Sequence, residues 1–186
     1  MVAANHHISV TLSPDQVRLA RDYARLRNDR AKKAGRRDKH GATWSDDYRH
    51  HLTGTIAEVI YFSGMGIDEP VLTLDTYKDE PDVAPGLVAQ FPLGAEVRGR
   101  NWSPTYEAEL IIRQDDDPTM PYVLVQVMPD QKSGVIVGWI DAQEAMDGTG
   151  KFWSPNDRPA AWFVHPNDLR ACVPNGEWQV AGGVML

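Results

Sequence analysis

The most constraining feature of the sequence is a nearly continuous apolar run over Tyr122–Met128, interrupted only by Gln126. Such a run is typical of a strand that is buried on both faces, because it has no solvent side to carry polar residues. We predict an α/β fold with a mixed central sheet of about five strands flanked by helices. Gln126 either forms hydrogen bonds in the core or faces a cleft, and both alternatives stay open.

Two helices are predicted before this strand. Ser13 and Gln16 form a capping box at the start of the first helix, which should run to about Ala34. The second begins near Ser45, where acidic residues suit a helix N-terminus, and ends around Gly64. Both have an apolar stripe at helical spacing.

The second helix carries a carboxylate at the edge of its apolar stripe. Glu58 lies beside the buried positions, so its side chain either reaches solvent or is aimed into a cleft. Gly54 and Ala57 are small, and we expect them to allow close approach of another backbone. With the acidic residues that follow in the chain, we favour the cleft for Glu58.

Further along, two adjacent strands are predicted to bring two carboxylates to one place. Glu96 and Arg98 share one face of a strand, because side chains alternate, while Val97 points into the core. Asp82 lies at the end of the preceding strand, around Val83–Phe91, and a turn before Glu96 joins the two strands. Neighbouring carboxylates are costly unless a cation neutralises them, and Mg²⁺ or Mn²⁺ suits oxygen ligands.

This pattern resembles the signature of the PD-(D/E)XK nuclease superfamily, whose members have a restriction-endonuclease-like fold. That family carries an Asp, often after Pro, then a strand, a turn and a strand with Glu-x-Lys. Here Asp82 follows Pro, and Glu96 precedes Arg98, which stands where lysine is usual. The upstream helix of the family carries a Glu that Glu58 matches. The resemblance covers roughly residues 45 to 130, and its motif is degenerate.

Later segments also look like small phage and bacterial members of that superfamily. These are Tyr122–Val125, Gly138–Asp141, and Ala161–Val164 with Leu169–Arg170. This second likeness is one of pattern and involves no named chemical group.

The resemblance implies a metal-dependent nuclease with Mg²⁺ or Mn²⁺ as cofactor. It implies that Asp82 and Glu96 bind the ion and that Glu58 completes the shell directly or through water. Arg98 contributes positive charge, and Arg100 on the same strand face adds a phosphate contact. A general-base role, open to lysine, is closed to Arg98, because a guanidinium does not lose its proton near neutral pH.

Charge is distributed unevenly along the chain. Residues 18–49 contain 11 of the 19 Lys and Arg but only 5 of the 26 Asp and Glu, so this segment has a net charge of +6. Because the whole chain has a net charge of −7, the remaining residues together carry −13. A basic arm on an acidic body is expected, so we divide the chain into an N-terminal helix and basic connector (1–40) and a nuclease-like core (41–186). In the arm, Arg36, Arg37 and Lys39 either contact phosphates or form a solvated connector.

The sequence also limits the compartment and the partners. It contains neither a stretch resembling a membrane span nor a signal peptide, and the single Cys172 has no internal partner, so a reducing cytoplasm is expected. The expected partner is nucleic acid, in particular DNA, with no membrane. The oligomeric state is not indicated.

Two other functions stay open beside the nuclease. Arg98 in place of lysine is compatible with a nucleic-acid-binding module of the same fold that has weakened catalysis. The −13 body is compatible with an acidic protein-binding factor of the inhibitor type. Taken singly, Asp82 is also explained as a turn residue, and Glu96 with Arg98 as an exposed strand pair.

Overall fold

The computed structural model describes residues 7–34, 44–67, 70, 72, 81–85, 87–88, 90–91, 94–155 and 159–174, with residues 44–47 described in their backbone alone. Short helical turns follow α3 and β7, over Ala145–Thr149 and Pro166–Asp168. The named elements, in chain order, are β1 (Ile8–Thr11), α1 (Pro14–Lys33), α2 (Trp44–Gly64), β2 (Glu96–Asn101), β3 (Leu110–Arg113), β4 (Pro121–Val127), β5 (Ser133–Asp141), α3 (Ala142–Glu144), β6 (Lys151–Trp153) and β7 (Ala161–Val164).

The strands form two sheets. The first has the order β1-β5-β4-β2, in which β2 is parallel to β4 and the other pairs are antiparallel. The second is antiparallel with the order β3-β7-β6. The predicted mixed α/β class is confirmed. Within the described residues, however, a four-stranded sheet and a three-stranded sheet replace the single sheet of about five strands.

Both long helices form where they were predicted. At the start of α1 the backbone N–H of Ser13 donates to Gln16 Oε1 at 2.9 Å, and the N–H of Gln16 donates to Ser13 Oγ at 3.3 Å. This reciprocal pair is the predicted capping box.

The strand predicted around Val83–Phe91 is wrong. In the described part of this segment two isolated bridges are present, one joining Val83 to Ala95 and one joining Val88 to Phe91. Tight turns replace the ladder: the N–H of Leu87 donates to the carbonyl of Ala84, and that of Phe91 to the carbonyl of Val88. Pro85 in this segment has no N–H to give to a ladder, which explains why regular pairing stops after Val83.

Strand β4 is buried on both faces over most of its length, as the apolar run predicted. On one face Val123 and Val125 of β4 pack into a core with α1 and α2. On the other face Tyr122 and Leu124 pack into a second core with β3, β7 and α3. The two long helices therefore cover one face, and the second sheet covers the other.

Helix α2 lies directly against β2. A Cβ atom placed on Gly99 would be 2.7 Å from the carbonyl oxygen of Thr53 and 2.8 Å from Cβ of Ala57, so only glycine fits there. The close approach predicted at Ala57 is present. The same prediction for Gly54 is wrong, because a Cβ there would meet no atom within 4 Å. Thr53 and Ala57 are one helical turn apart and form the contact line, and Gly54 lies beside it.

Helix α1 packs against α2 in the same core as the first sheet. The boundary that the sequence suggested at residue 40 lies outside the described residues. Within the part of the chain that the structure describes, no helix has the combined length and apolar character that crossing a membrane requires.

Candidate functional site

Alternate side chains of strand β2 lie on opposite faces of the first sheet, one facing the helices and the other facing the second sheet. Val97 is buried in the core beside the helices, and Gly99 lies against α2. Because side chains alternate along a strand, the other set faces the second sheet. This set comprises Glu96, Arg98 and Arg100, in register with Tyr122, Leu124 and Gln126 of β4.

Asp82 lies at the open edge of β2. The bridge between Val83 and Ala95 places it there, and its Oδ2 accepts a hydrogen bond from the backbone N–H of Val97 at 2.9 Å. β2 is an edge strand, so this N–H needs a partner outside the sheet. The Glu96 side chain is within hydrogen-bonding reach of the Asp82 carboxylate. Two acidic groups far apart in the chain are thereby brought together.

The two acidic side chains disturb each other's ionisation. Burial raises the pKa of Asp82, although the N–H of Val97 opposes this effect. Burial, followed by the charge of Asp82, raises the pKa of Glu96 to about 8. At neutral pH Glu96 therefore keeps its proton, and its O–H donates a hydrogen bond to Asp82. A cation between them would take the place of that proton.

Arg98 is held in place beside the two carboxyls. Its Nη2 donates to Asp116 Oδ1 at 2.9 Å, and its Nη1 lies 3.8 Å from Glu96 Oε2. The guanidinium also lies 5.0 Å from the centre of the Tyr122 ring. Burial alone would lower the pKa of Arg98, but Asp116 and Glu96 outweigh it and raise the pKa. The other oxygen of Asp116 accepts from the N–H of Arg113 at 2.8 Å, which fixes Asp116 to the end of β3.

Glu58 forms a closed ion pair with Arg27 of α1. The two guanidinium nitrogens donate to the two carboxylate oxygens at 2.6 and 2.8 Å, and the side chains are 3% and 6% exposed for Arg27 and Glu58. Thr55 Oγ1 accepts a further bond from Arg27 at 3.2 Å. Burial, and then the charge of Asp82, raises the pKa of Glu58 to about 7 against the effect of Arg27. Glu58 is thus close enough to Asp82 for the charge of Asp82 to raise its pKa, while both of its oxygens accept hydrogen bonds from Arg27.

The site is short of positive charge. The four carboxyls are those of Glu58, Asp82, Glu96 and Asp116, and the two guanidiniums are those of Arg27 and Arg98. Once Glu96 has given up its proton and all six groups are ionised, four negative and two positive charges leave two negative charges. That deficit equals the charge of one divalent cation.

The donor set fits Mg²⁺ or Mn²⁺ with two protein ligands. Asp82 and Glu96 offer hard carboxylate oxygens, and Mg²⁺ is commonly held by one or two carboxylates together with water. Across the described ranges, three or more His, Cys, Asp or Glu side chains are nowhere grouped so that they could hold an ion.

Two residues of the site were missed by the sequence analysis. Arg27 could have been found, because it lies on the buried stripe of α1 at helical spacing from Ala20 and Ala24. Asp116 belongs to a run of three aspartates before a proline, a pattern typical of a solvated turn. Its side chain is nevertheless only 10% exposed. The suggested phosphate contacts of the basic arm lie outside the described residues: Arg36, Arg37 and Lys39.

Comparison with known proteins identifies no relative. No protein-family model matches the chain. Neither the curated proteins nor the solved structures contain a match. Any functional conclusion therefore depends on the residues of the site.

Proposed function

We propose that this protein is a metal-dependent nuclease that hydrolyses phosphodiester bonds, with DNA as its substrate. The observation that carries the proposal is the pair of half-buried carboxyls, Asp82 and Glu96, beside a guanidinium that Asp116 holds in position. Burial raises the pKa of both carboxyls, and the charge of Asp82 raises that of Glu96 further, so a cation beside them would be favourable. An adjacent fixed guanidinium suits a phosphate.

We also propose that the fold is restriction-endonuclease-like. Three features support this: a helix that carries Glu58, an aspartate beside the edge of β2, and a Glu-x-Arg strand, in the chain order of that family. The parallel pairing of β2 with β4 within a mixed sheet is compatible with it. The separate three-stranded sheet is an addition to what the motif implies.

Each side chain has a distinct role in this proposal. Asp82 and Glu96 hold Mg²⁺ or Mn²⁺, which would supply a hydroxide at neutral pH and polarise the phosphate. Arg98 stabilises the negative charge that develops as the phosphorus becomes five-coordinate. It is not the base, since its guanidinium stays protonated. Arg100, on the same face of β2, contacts a neighbouring phosphate.

Glu58 acts on this centre from the side of α2. Its carboxylate raises the pKa of Glu96 and is itself neutralised by Arg27. Both of its oxygens already accept hydrogen bonds from Arg27. We therefore assign direct binding of the ion to Asp82 and Glu96, and the predicted role of Glu58, directly or through water, would use the remaining lone pairs of its oxygens.

The test is cleavage of DNA by the purified protein with Mg²⁺ or Mn²⁺. Asp82→Asn is the sharpest variant, because an amide oxygen still accepts from the N–H of Val97 while the charge is removed. We expect a loss of more than about a hundredfold in rate. Asp147→Asn is the matched control, since Asp147 is exposed and contacts Gln143.

Two results would contradict the proposal. One is the absence of cleavage by the wild-type protein with either ion. The other is equal cleavage by the wild-type protein and by Asp82→Asn, which would indicate a contaminating nuclease.

A nucleic-acid-binding module without turnover is the second candidate. Arg98 favours it, because lysine is usual at this position and the guanidinium is already paired with Asp116 and Glu96. DNA that is retained but not cleaved would support this function. Cleavage that emerges in the variant Arg98→Lys would support it further.

A further inference from the structure

The face of β2 that carries the candidate site continues beyond Arg98. Arg100 is the next residue on this face, and Trp102 follows it. The backbone N–H of Trp102 donates to the carbonyl of Val127 at 2.8 Å, which adds a hydrogen bond just beyond the last pair of the β2–β4 ladder. The alternation therefore extends past Asn101, and Trp102 lies on the same side as the two arginines.

The side chains along this face are available to a ligand. Trp102 is 40% exposed, and among the described residues no ring or cation stacks on it. Arg100 is half-buried and, within the same ranges, has no acidic partner. Gln126 lies in register beside Arg100 and is also half-buried, which places it on the cleft side rather than in the core.

Trp102 differs from the exposed aromatic residues of the second sheet. On β6, Phe152 packs on Trp162 with 4.7 Å between ring centres, and Trp153 packs on Phe163 with 5.3 Å. These rings have partners within their own sheet. An indole without such a partner, at the end of a row of arginines, is a surface on which another flat group can stack.

We infer that Arg98, Arg100 and Trp102 form a track for unpaired nucleotides next to the scissile phosphate. The substrate is then a single strand or a single-stranded extension of a duplex. This inference rests on the proposed nuclease function, because it uses the same site. It adds the class of substrate, which the carboxyls and the ion do not specify.

The order of side chains along β2 suits a nucleic-acid strand that runs along it. Alternate residues of a strand are roughly 6.6 Å apart, so Arg98 and Trp102 are separated by roughly 13 Å. The acidic end of the row carries the proposed ion, the two arginines suit successive phosphates, and the indole suits a base. In the interior of a duplex both faces of a base are covered by its neighbours. The indole can therefore stack only on an unpaired or terminal base.

The experiment is binding of labelled oligonucleotides in EDTA, measured by fluorescence anisotropy. The probes are an oligothymidylate and a blunt duplex of the same length. We expect the wild-type protein to prefer the single strand, and we expect Trp102→Ala to bind it roughly tenfold more weakly. Trp102→Phe should retain most of the affinity, because a smaller ring still stacks. Trp153→Ala is the matched control and should bind as the wild type does.

A second variant separates the phosphate contact from stacking. Arg100→Gln should weaken binding of the single strand and of the duplex by a similar factor. The slope of log K against log salt should decrease by about one, because one phosphate contact is lost. Trp102→Ala should leave that slope unchanged.

The outcomes distinguish the track from the nuclease proposal. The track is overturned if Trp102→Ala binds the oligothymidylate as the wild type does, or if the duplex binds at least as tightly. Trp102-dependent binding without cleavage in Mg²⁺ or Mn²⁺ contradicts the nuclease and leaves the track standing. Cleavage of single strands at equal rates by wild type and Trp102→Ala contradicts the track and leaves the nuclease.

Discussion

Two arginines contact the acidic residues of this protein in different ways. Arg27 forms two short hydrogen bonds with one carboxylate, that of Glu58, and both side chains are almost fully buried. Arg98 is shared between Asp116 and Glu96, and 32% of its side chain is exposed. The first group is closed, and the second is open to a ligand.

The difference teaches where chemistry can occur. In the closed pair, one positive and one negative charge are matched, and both carboxylate oxygens are used. In the open group, one guanidinium faces Asp116 and Glu96 while Asp82 adds a third carboxyl. The unmatched charge therefore accumulates at the edge of β2, and this is where an ion and a phosphate are expected.

The largest expected effect comes from opening the closed pair. Arg27→Met leaves the carboxylate of Glu58 buried without its partner, which should cost about 3–5 kcal/mol in the free energy of unfolding. The double variant Arg27→Met with Glu58→Leu should recover most of that loss, because an apolar pair replaces the ion pair. Urea denaturation measures both values.

The same double variant separates the two roles of Glu58. If the role of Glu58 is to form the structural ion pair with Arg27, the double variant should fold stably and should still cleave DNA. A stable but inactive double variant would instead make Glu58 a direct ligand of the ion. A cost below about 1 kcal/mol for Arg27→Met would contradict the closed pair itself.

The stability of the protein should fall as the pH rises. Burial raises the pKa of Glu58 to about 7 and that of Glu96 to about 8, against an ordinary value of 4.5. The folded protein therefore keeps protons that the unfolded chain has released, so the free energy of unfolding should decrease between about pH 4.5 and pH 8. Because one pKa unit corresponds to about 1.4 kcal/mol, the two groups together should lower the free energy of unfolding by several kcal/mol.

Urea denaturation between pH 5 and pH 9 checks this prediction. Glu96→Gln should flatten the upper part of the profile, because it removes the group with the higher pKa. Added Mg²⁺ should stabilise the protein more at pH 8.5 than at pH 5.5, since binding must displace the proton of Glu96. A flat profile over this range would show that these carboxyls ionise normally, and a rising one that their pKa values are lowered by folding.

The sequence predicted the open group better than the closed one. Strand alternation alone put Glu96 and Arg98 on one face, and local signals placed both long helices. The ion pair of Glu58 depends on how α1 crosses α2, and no local pattern gives that crossing. A charged residue on an apolar stripe was nevertheless visible at Arg27, and its burial implied a partner.

The short edge strands were beyond the reach of local patterns. β1 of the first sheet has four residues and β6 of the second has three, and both are too short for alternation to mark them. β6 is also exposed along its whole length, so no buried position distinguishes it from a loop. Asp116 is hidden for a related reason. Its burial follows from the approach of β3 to β2, which sets it apart from the two exposed aspartates beside it.

The smallest expected effect concerns this anchor of the open group. Asp116→Asn keeps an oxygen for the N–H of Arg113 but loses the charge that holds Arg98. A hydrogen bond to a charged group contributes about 1.5–3 kcal/mol, so we expect cleavage to fall by roughly ten- to a hundredfold. The decrease should be in kcat rather than in KM, because Arg98 stabilises charge that develops in the transition state.

A turn aspartate elsewhere in the chain provides the control for this variant. Asp130 accepts from the backbone N–H groups of Lys132 and Ser133, much as Asp116 accepts from Arg113, but no guanidinium is paired with it among the described residues. Asp130→Asn should leave kcat unchanged. If both variants lose activity equally, Asp116 stabilises only its turn. If neither loses activity, Arg98 needs no anchor, and the distinction between the two arginines reduces to burial alone.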